Sequence, residues 1–274
     1  MHDIPYLKER AKETRLNILE IAFKAQGPSH PGPALSCADI VTALYYRIMN
    51  IDPKNPAWAD RDRLILSKGH ACPVIYAALA QRGYFPMEWL KDVRRVGGNL
   101  QGHPDMNKTP GVDMTAGSLG NGLSAGLGMA YYLKDQAKNS QVFVILGDGE
   151  LQEGNVWEAA ITAPALKLDN LIAIVDYNHF QSTGATDDIV PIEPIVDKWR
   201  AFNWNVIEIN GHSMEEVVSA LERGVAFRGR PTVVVAHTVK GKGVSFMEHN
   251  NDWHQKIPTE AEYAQARKEI TEGI

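Results

Sequence analysis

The chain is poor in cysteine, with only Cys37 and Cys72 in 274 residues. Two thiols cannot build a disulfide framework. Each therefore reads as a small buried residue, and a reduced, cytoplasmic setting is the expectation. Positive charge is not in excess either: 28 Lys and Arg stand against 33 Asp and Glu, a formal net charge of −5. Without a basic stripe, nucleic acid is not an expected partner. No apolar run approaches the length of a membrane span, so no membrane partner is expected. The opening residues, MHDIPYLKERAKETRLN, are charged and carry no apolar stretch of the kind a secretory signal needs. Neither GxGxxG nor GxxxxGK[ST] follows a strand, which removes the common nucleotide-binding loops. Internal repeats, low-complexity segments and linkers are also missing.

What is present is a chain that is 44% hydrophobic, enough for a substantial core in one large α/β domain spanning residues 1–274. Helical patterns are expected over residues 5–23, 36–48, 117–133, 154–166, 197–202 and 213–228, and an alanine-rich one ends at Arg82. Ser36 is placed to cap the second of these. A last helix is expected from Thr259. The run Gly27-Pro28-Ser29-His30-Pro31-Gly32-Pro33 should break the chain completely. Strands are expected at residues 63–67, 141–146, 171–176, 205–208 and 231–237. Strands alternating with helices imply a doubly wound, mostly parallel sheet with helices on both faces. Tyr131 and Trp157 read as core aromatics.

One strand ends in an unusual way. The apolar run Val142 to Leu146 passes directly into Gly147-Asp148-Gly149. In such a sheet, ligands sit beyond the carboxyl ends of the strands. The next apolar strand, LIAIVDYN, places Asn178 at the same level. A carboxylate, an amide and a nearby carbonyl are hard oxygen ligands, suited to an octahedral Mg²⁺ that also takes phosphate oxygens. The glycines permit a sharp turn and close approach of the backbone. Read alone, Gly-Asp-Gly is equally a plain strand-to-loop turn. The spacing argues for more: residues 150–177, 28 in number, fit one loop, one helix and one strand. That is a single crossover returning the chain to the same sheet edge.

Five stretches in order, SHPGPALS, LSKGHA, QGHPDMNKTPGVDMTAGSLGNGLSAGLGMA, GDGELQEGNVWEAA and LIAIVDYN, resemble the thiamine diphosphate-binding half of the transketolase family, from about Leu7 to Ile257. Asp-Tyr-Asn stands where the family often has a double asparagine. The resemblance implies thiamine diphosphate and Mg²⁺ as cofactors, with Ca²⁺ or Mn²⁺ as possible substitutes. It implies that Asp148, Asn178 and the Phe180 carbonyl bind the metal. It assigns Gly149 and His70 to the diphosphate, the backbone of Gly117 and Leu119 to the pyrimidine side, and Gly147 and Glu150 to cofactor binding. His30, His103 and His254 face the substrate channel, and Glu153 joins a carboxylate network across a subunit contact. The activity implied is reversible transfer of a two-carbon ketol group between sugar phosphates, as in pentose phosphate metabolism.

Taken singly, histidines at loop starts are ordinarily solvent-facing or capping, and a glycine-rich helix is ordinarily a packing device. Neutral imidazoles do suit proton transfer near pH 7, and a helix N-terminus does suit an anion. No role is expected for His2, His179, His212, His237 or His249. In this family a glutamate on a separate pyrimidine-binding domain activates the cofactor. The chain ends before any such domain, so the expectation is the N-terminal subunit of a split transketolase, working with a separate C-terminal subunit in an α2β2 heterotetramer. Other readings are a ketol transferase for an unusual sugar phosphate, a deoxyxylulose phosphate synthase, the α subunit of a 2-oxoacid dehydrogenase, or a non-catalytic cofactor-binding subunit.

Overall fold

Seven strands are present in the computed structural model, which describes residues 2–273: β1 (Arg63–Leu66), β2 (Val142–Gly147), β3 (Leu171–Tyr177), β4 (Phe180–Gln181), β5 (Gly184–Ala185), β6 (Asn205–Asn210) and β7 (Thr232–His237). Met1 and Ile274, the ends of the expected domain, lie outside the described residues. Five strands form one sheet in the order β1-β2-β3-β7-β6, and every pairing in it is parallel. The short β4 and β5 pair antiparallel beyond the end of β3.

Among the described residues, ten α-helices connect and cover the strands. They are α1 (Ile4–Lys24), α2 (Pro31–Leu35), α3 (Ala38–Ala43), α4 (Cys72–Arg82), α5 (Asn121–Asp135), α6 (Gly154–Ala165), α7 (Thr186–Ile189), α8 (Ile195–Ala201), α9 (Met214–Ala226) and α10 (Glu260–Glu272). A parallel sheet is apolar on both faces because crossover helices cover both. Strand β2 shows this directly. Phe143 and Ile145 join a core with α1, α3, α4, α9 and α10, while Val142, Val144 and Leu146 join a second core with α5, α6 and α8. The doubly wound architecture expected from the sequence is the one observed. Both cysteines are free and buried.

Four local expectations are corrected. The Gly/Pro run does not simply break the chain: residues 31–35 form α2, because proline in a first turn has no N–H that the helix would need. Gly32 is required there, since a Cβ would lie 2.7 Å from the Trp253 carbonyl oxygen. Ser36 does not cap the next helix; its hydroxyl donates to the Pro33 carbonyl and to the Asp176 carboxylate. The helix expected from residue 117 begins at Asn121, because Gly120 is left-handed (φ 82°) and turns its N–H to the Glu150 carboxylate. Tyr131 is 52% exposed and belongs to the surface, whereas Trp157 packs against Trp199 and Phe202.

Helix α5 lies unusually close to the sheet. A Cβ on Gly122 would fall 2.4 Å from Ser67 Cβ and 2.9 Å from its Cα. Alanine is intrinsically the better helix former by about 1 kcal/mol. Here overpacking outweighs that, and Gly122→Ala is expected to lower stability by about 1–2 kcal/mol in urea unfolding. A gain would contradict the close packing.

Candidate active site

Parallel register brings the two predicted ligands together. Gly147 is the neighbour of Asp176 across β2 and β3, so Asp148 and Asn178 leave adjacent strands at the same end of the sheet. The contact is direct: the His179 N–H donates to Asp148 Oδ2 at 2.5 Å, and the Gly149 N–H to Oδ1 at 2.8 Å. Asn178 is oriented from both sides. Its Oδ1 accepts from the Phe180 N–H at 3.1 Å, and its Nδ2 donates to the Asp176 carboxylate at 3.2 Å. His179 sits at φ 67°, which lets the chain turn back over Asp148.

These groups open onto a cavity of about 330 Å³ beyond the strand ends. Of the predicted residues, His70, Gly117, Leu119, Gly147, Asp148, Gly149, Glu150, Glu153, Asn178, Phe180 and His254 all line it. His30 and His103 complete a cluster of imidazoles at its mouth. The His30 ring lies 5.3 Å from His70, 5.5 Å from His254 and 6.2 Å from His103. Glu150 is buried, and both its carboxylate oxygens are engaged by Ser67, Gly120 and Gly147, so it shapes the turn from within. Glu153 is exposed at the rim.

Burial governs the protonation of this cavity. Asp148 is 1% exposed, and burial, followed by the nearby Asp176 carboxylate, raises its pKa to about 7. Burial also pushes His30 down to about 4 and His254 down to about 3, with Arg94 and Lys240 respectively as the next causes. His70 is lowered in the same direction. The imidazoles are thus neutral at pH 7, able to give or take a proton without charging the cavity.

Three charged residues at the site have no role assigned from the sequence, although Lys68 lies within LSKGHA and Asp176 within LIAIVDYN. Lys68 and Asp176 form a buried ion pair beneath the cavity, and Asp176 also receives Ser36 and Thr238. Lys240 contacts His254. The sequence does hold a signal for Asp176, a carboxylate closing the apolar strand LIAIV. Its partner lies 108 residues away, and no local pattern identifies it.

The residues fit a metal–diphosphate group. Asp148 has two N–H donors but no ion-pair partner among the described residues, so its charge calls for a cation inside the cavity. With Asn178 Oδ1 and the Phe180 carbonyl it offers the hard oxygen donors a divalent ion prefers. The neutral imidazoles can supply N–H donors for an anion, whereas the Lys68 charge is already met by Asp176.

Fold and site together define a doubly wound α/β domain with its cavity beyond the carboxyl ends of the strands. The profile of the family described as transketolase, thiamine diphosphate binding domain, matches residues 8–272, and the chain belongs to that family. It is 48% identical over 264 residues to the 6-deoxy-6-sulfo-D-fructose transketolase subunit SqwG of a Clostridium species, covering 96% of each chain. It is 38% identical over 268 residues to one subunit of the apulose-4-phosphate transketolase of Phocaeicola vulgatus, covering 98% of this chain and 95% of that one. Among solved structures, transketolase from Campylobacter jejuni superposes with a TM-score of 0.91 at 31% identity. That match covers 98% of this chain but 43% of the other, so the chain spans about two fifths of that transketolase. No helix among the described residues is long and apolar enough to cross a membrane.

Proposed function

We propose that the chain is the cofactor-binding subunit of a two-subunit transketolase, moving a two-carbon ketol group reversibly from a ketose phosphate to an aldose phosphate. The observation that carries this reading is the Asp148–Asn178 pair, set side by side by the parallel register and bonded through His179. Asp148, Asn178 and the Phe180 carbonyl would hold Mg²⁺. His70 and the backbone of Gly149 would meet the diphosphate, and the backbone of Gly117 and Leu119 the remainder of the cofactor. Thiamine diphosphate, when bound, supplies the nucleophilic carbon that carries the two-carbon unit. The chain's own part is to orient the sugar and handle protons at its hydroxyl and carbonyl oxygens, through the neutral rings of His30, His103 and His254.

A companion subunit would bring the pyrimidine-binding domain with its activating glutamate, and the residues that recognise the far end of the sugar. Glu153, exposed at the rim, is placed to take part in that contact. Support comes from two relatives named as subunits that this chain covers almost end to end. An α2β2 assembly in the cytoplasm follows from the same reading. The names of those relatives also favour donors outside the common pentose phosphates, and a sugar carrying a terminal sulfonate is a specific candidate.

The test is reconstitution. The chain mixed with its companion, Mg²⁺ and thiamine diphosphate is expected to release aldose product from a panel of ketose phosphates and sulfonates. His30→Gln and His103→Gln are each expected to slow the pair by about 10²–10⁴-fold, with cofactor uptake nearly unchanged. Full activity of the chain alone would sink the two-subunit reading. A reconstituted pair inert towards every ketose would sink the ketol-transfer reading.

A further inference from the structure

The segment carrying His254 is pinned to the His30 loop by its backbone. The Gly241 N–H donates to the Gly32 carbonyl, and the Lys256 N–H to the Ser29 carbonyl, each at 3.1 Å. Beside these pins Lys240 is 1% exposed. Its ammonium lies 2.6 Å from Asn251 Oδ1, 3.3 Å from the Gln181 carbonyl and 2.9 Å from His254 Nδ1. A lysine ammonium has three N–H donors and no acceptor. All three are used here, and the ring nitrogen facing it has to accept.

We propose that Lys240 is a positioning residue that fixes His254 as its neutral Nε2–H tautomer. The other tautomer would point an N–H at an ammonium. A doubly protonated ring would set a second cation against the first in a buried place. The remaining rings differ: His30, His70 and His103 make no side-chain hydrogen bond among the described residues, so either tautomer is open to them. The three channel histidines are therefore not equivalent. With its one proton committed to Nε2, His254 presents a donor to the cavity and holds an oxygen there. Taking a proton from a sugar hydroxyl falls to His30 or His103. This division of labour rests on the ketol-transfer reading, whereas the tautomer itself is a property of the free chain and is measured without cofactor, substrate or companion.

The experiment is a ring-nitrogen correlation spectrum of the isotope-labelled free chain at neutral pH, with His254 assigned from the signal lost in His254→Gln. The expected wild-type pattern is a single Nε2–H tautomer. In Lys240→Met, shown to be folded by near-ultraviolet circular dichroism, that pattern is expected to give way to a mixture containing Nδ1–H. A wild-type ring that is Nδ1–H or already mixed overturns the proposal. So does a folded Lys240→Met chain that keeps the pure Nε2–H pattern. If the variant does not fold, the through-hydrogen-bond coupling between Lys240 Nζ and His254 Nδ1 in the wild type decides, and its absence overturns the assignment.

Discussion

Asp148→Asn is expected to remove magnesium-dependent uptake of thiamine diphosphate and, in the same chain, to flatten the pH dependence of stability. The first effect follows from the donor set. Of the proposed donors, Asn178 and the Phe180 carbonyl remain, both neutral, and the one carboxylate of that set is gone. Partners that merely orient a metal ligand change affinity by about 10–100-fold, so loss of this ligand is expected to weaken binding by at least about 100-fold. The second effect follows from burial. The Asp148 carboxyl titrates near 4 in an unfolded chain and at about 7 in the fold. The folded state holds the proton more tightly, so this group disfavours folding progressively as pH rises from about 4. The full penalty is in place above pH 7. A shift of that size corresponds to at most about 4 kcal/mol. Urea unfolding of the metal-free chain should show wild type losing stability between pH 5 and 8 while the amide variant does not. Parallel slopes for the two chains would contradict this account of the cavity.

The second large effect lies one layer below. Lys68→Met is expected to lower stability by about 3–5 kcal/mol, because it leaves the Asp176 carboxylate buried without its cation. Burial by itself would lower the Lys68 pKa and raise that of Asp176. The mutual charge outweighs it in both, holding the ammonium above its ordinary range and the carboxylate below its own. The loss should be largely repaired by Lys68→Met combined with Asp176→Asn, since an amide can still accept from Ser36 or Thr238 without carrying a charge. Measured as a double-mutant cycle in urea, the pair should be strongly coupled. Additive losses would mean that the two charges do not depend on each other.

Much of this was legible in the sequence because a crossover of fixed length fixes neighbours. Twenty-eight residues between Gly149 and Asn178 are enough for one helix and one returning strand, and the observed β2–β3 register delivers that adjacency. His30 and His70 could be named from motifs and His254 only from the wider resemblance, yet only the fold shows their rings within 6 Å of one another. The pairing of Lys68 with Asp176 and of Lys240 with His254 was hidden for the same reason. A side chain's partner across the sheet end is set by topology and leaves no local periodicity. Residues 117–120 misled in the opposite direction. The sequence reads them into a small-residue helix, but glycine is a poor helix former, the buried Glu150 carboxylate takes the Gly120 N–H, and the helix starts at Asn121. Tyr131 reads as a core aromatic in the sequence, but it lies off the face of α5 that buries Leu123, Gly126 and Ala130.

Uptake of thiamine diphosphate by the chain and its companion, followed calorimetrically with Mg²⁺ and again with a chelator, puts the carboxylate–amide pair to the most direct test. Saturable heat with the metal, none once it is chelated, and none with Asp148→Asn is the predicted result. Uptake that is absent throughout, or undiminished by the chelator, would contradict it.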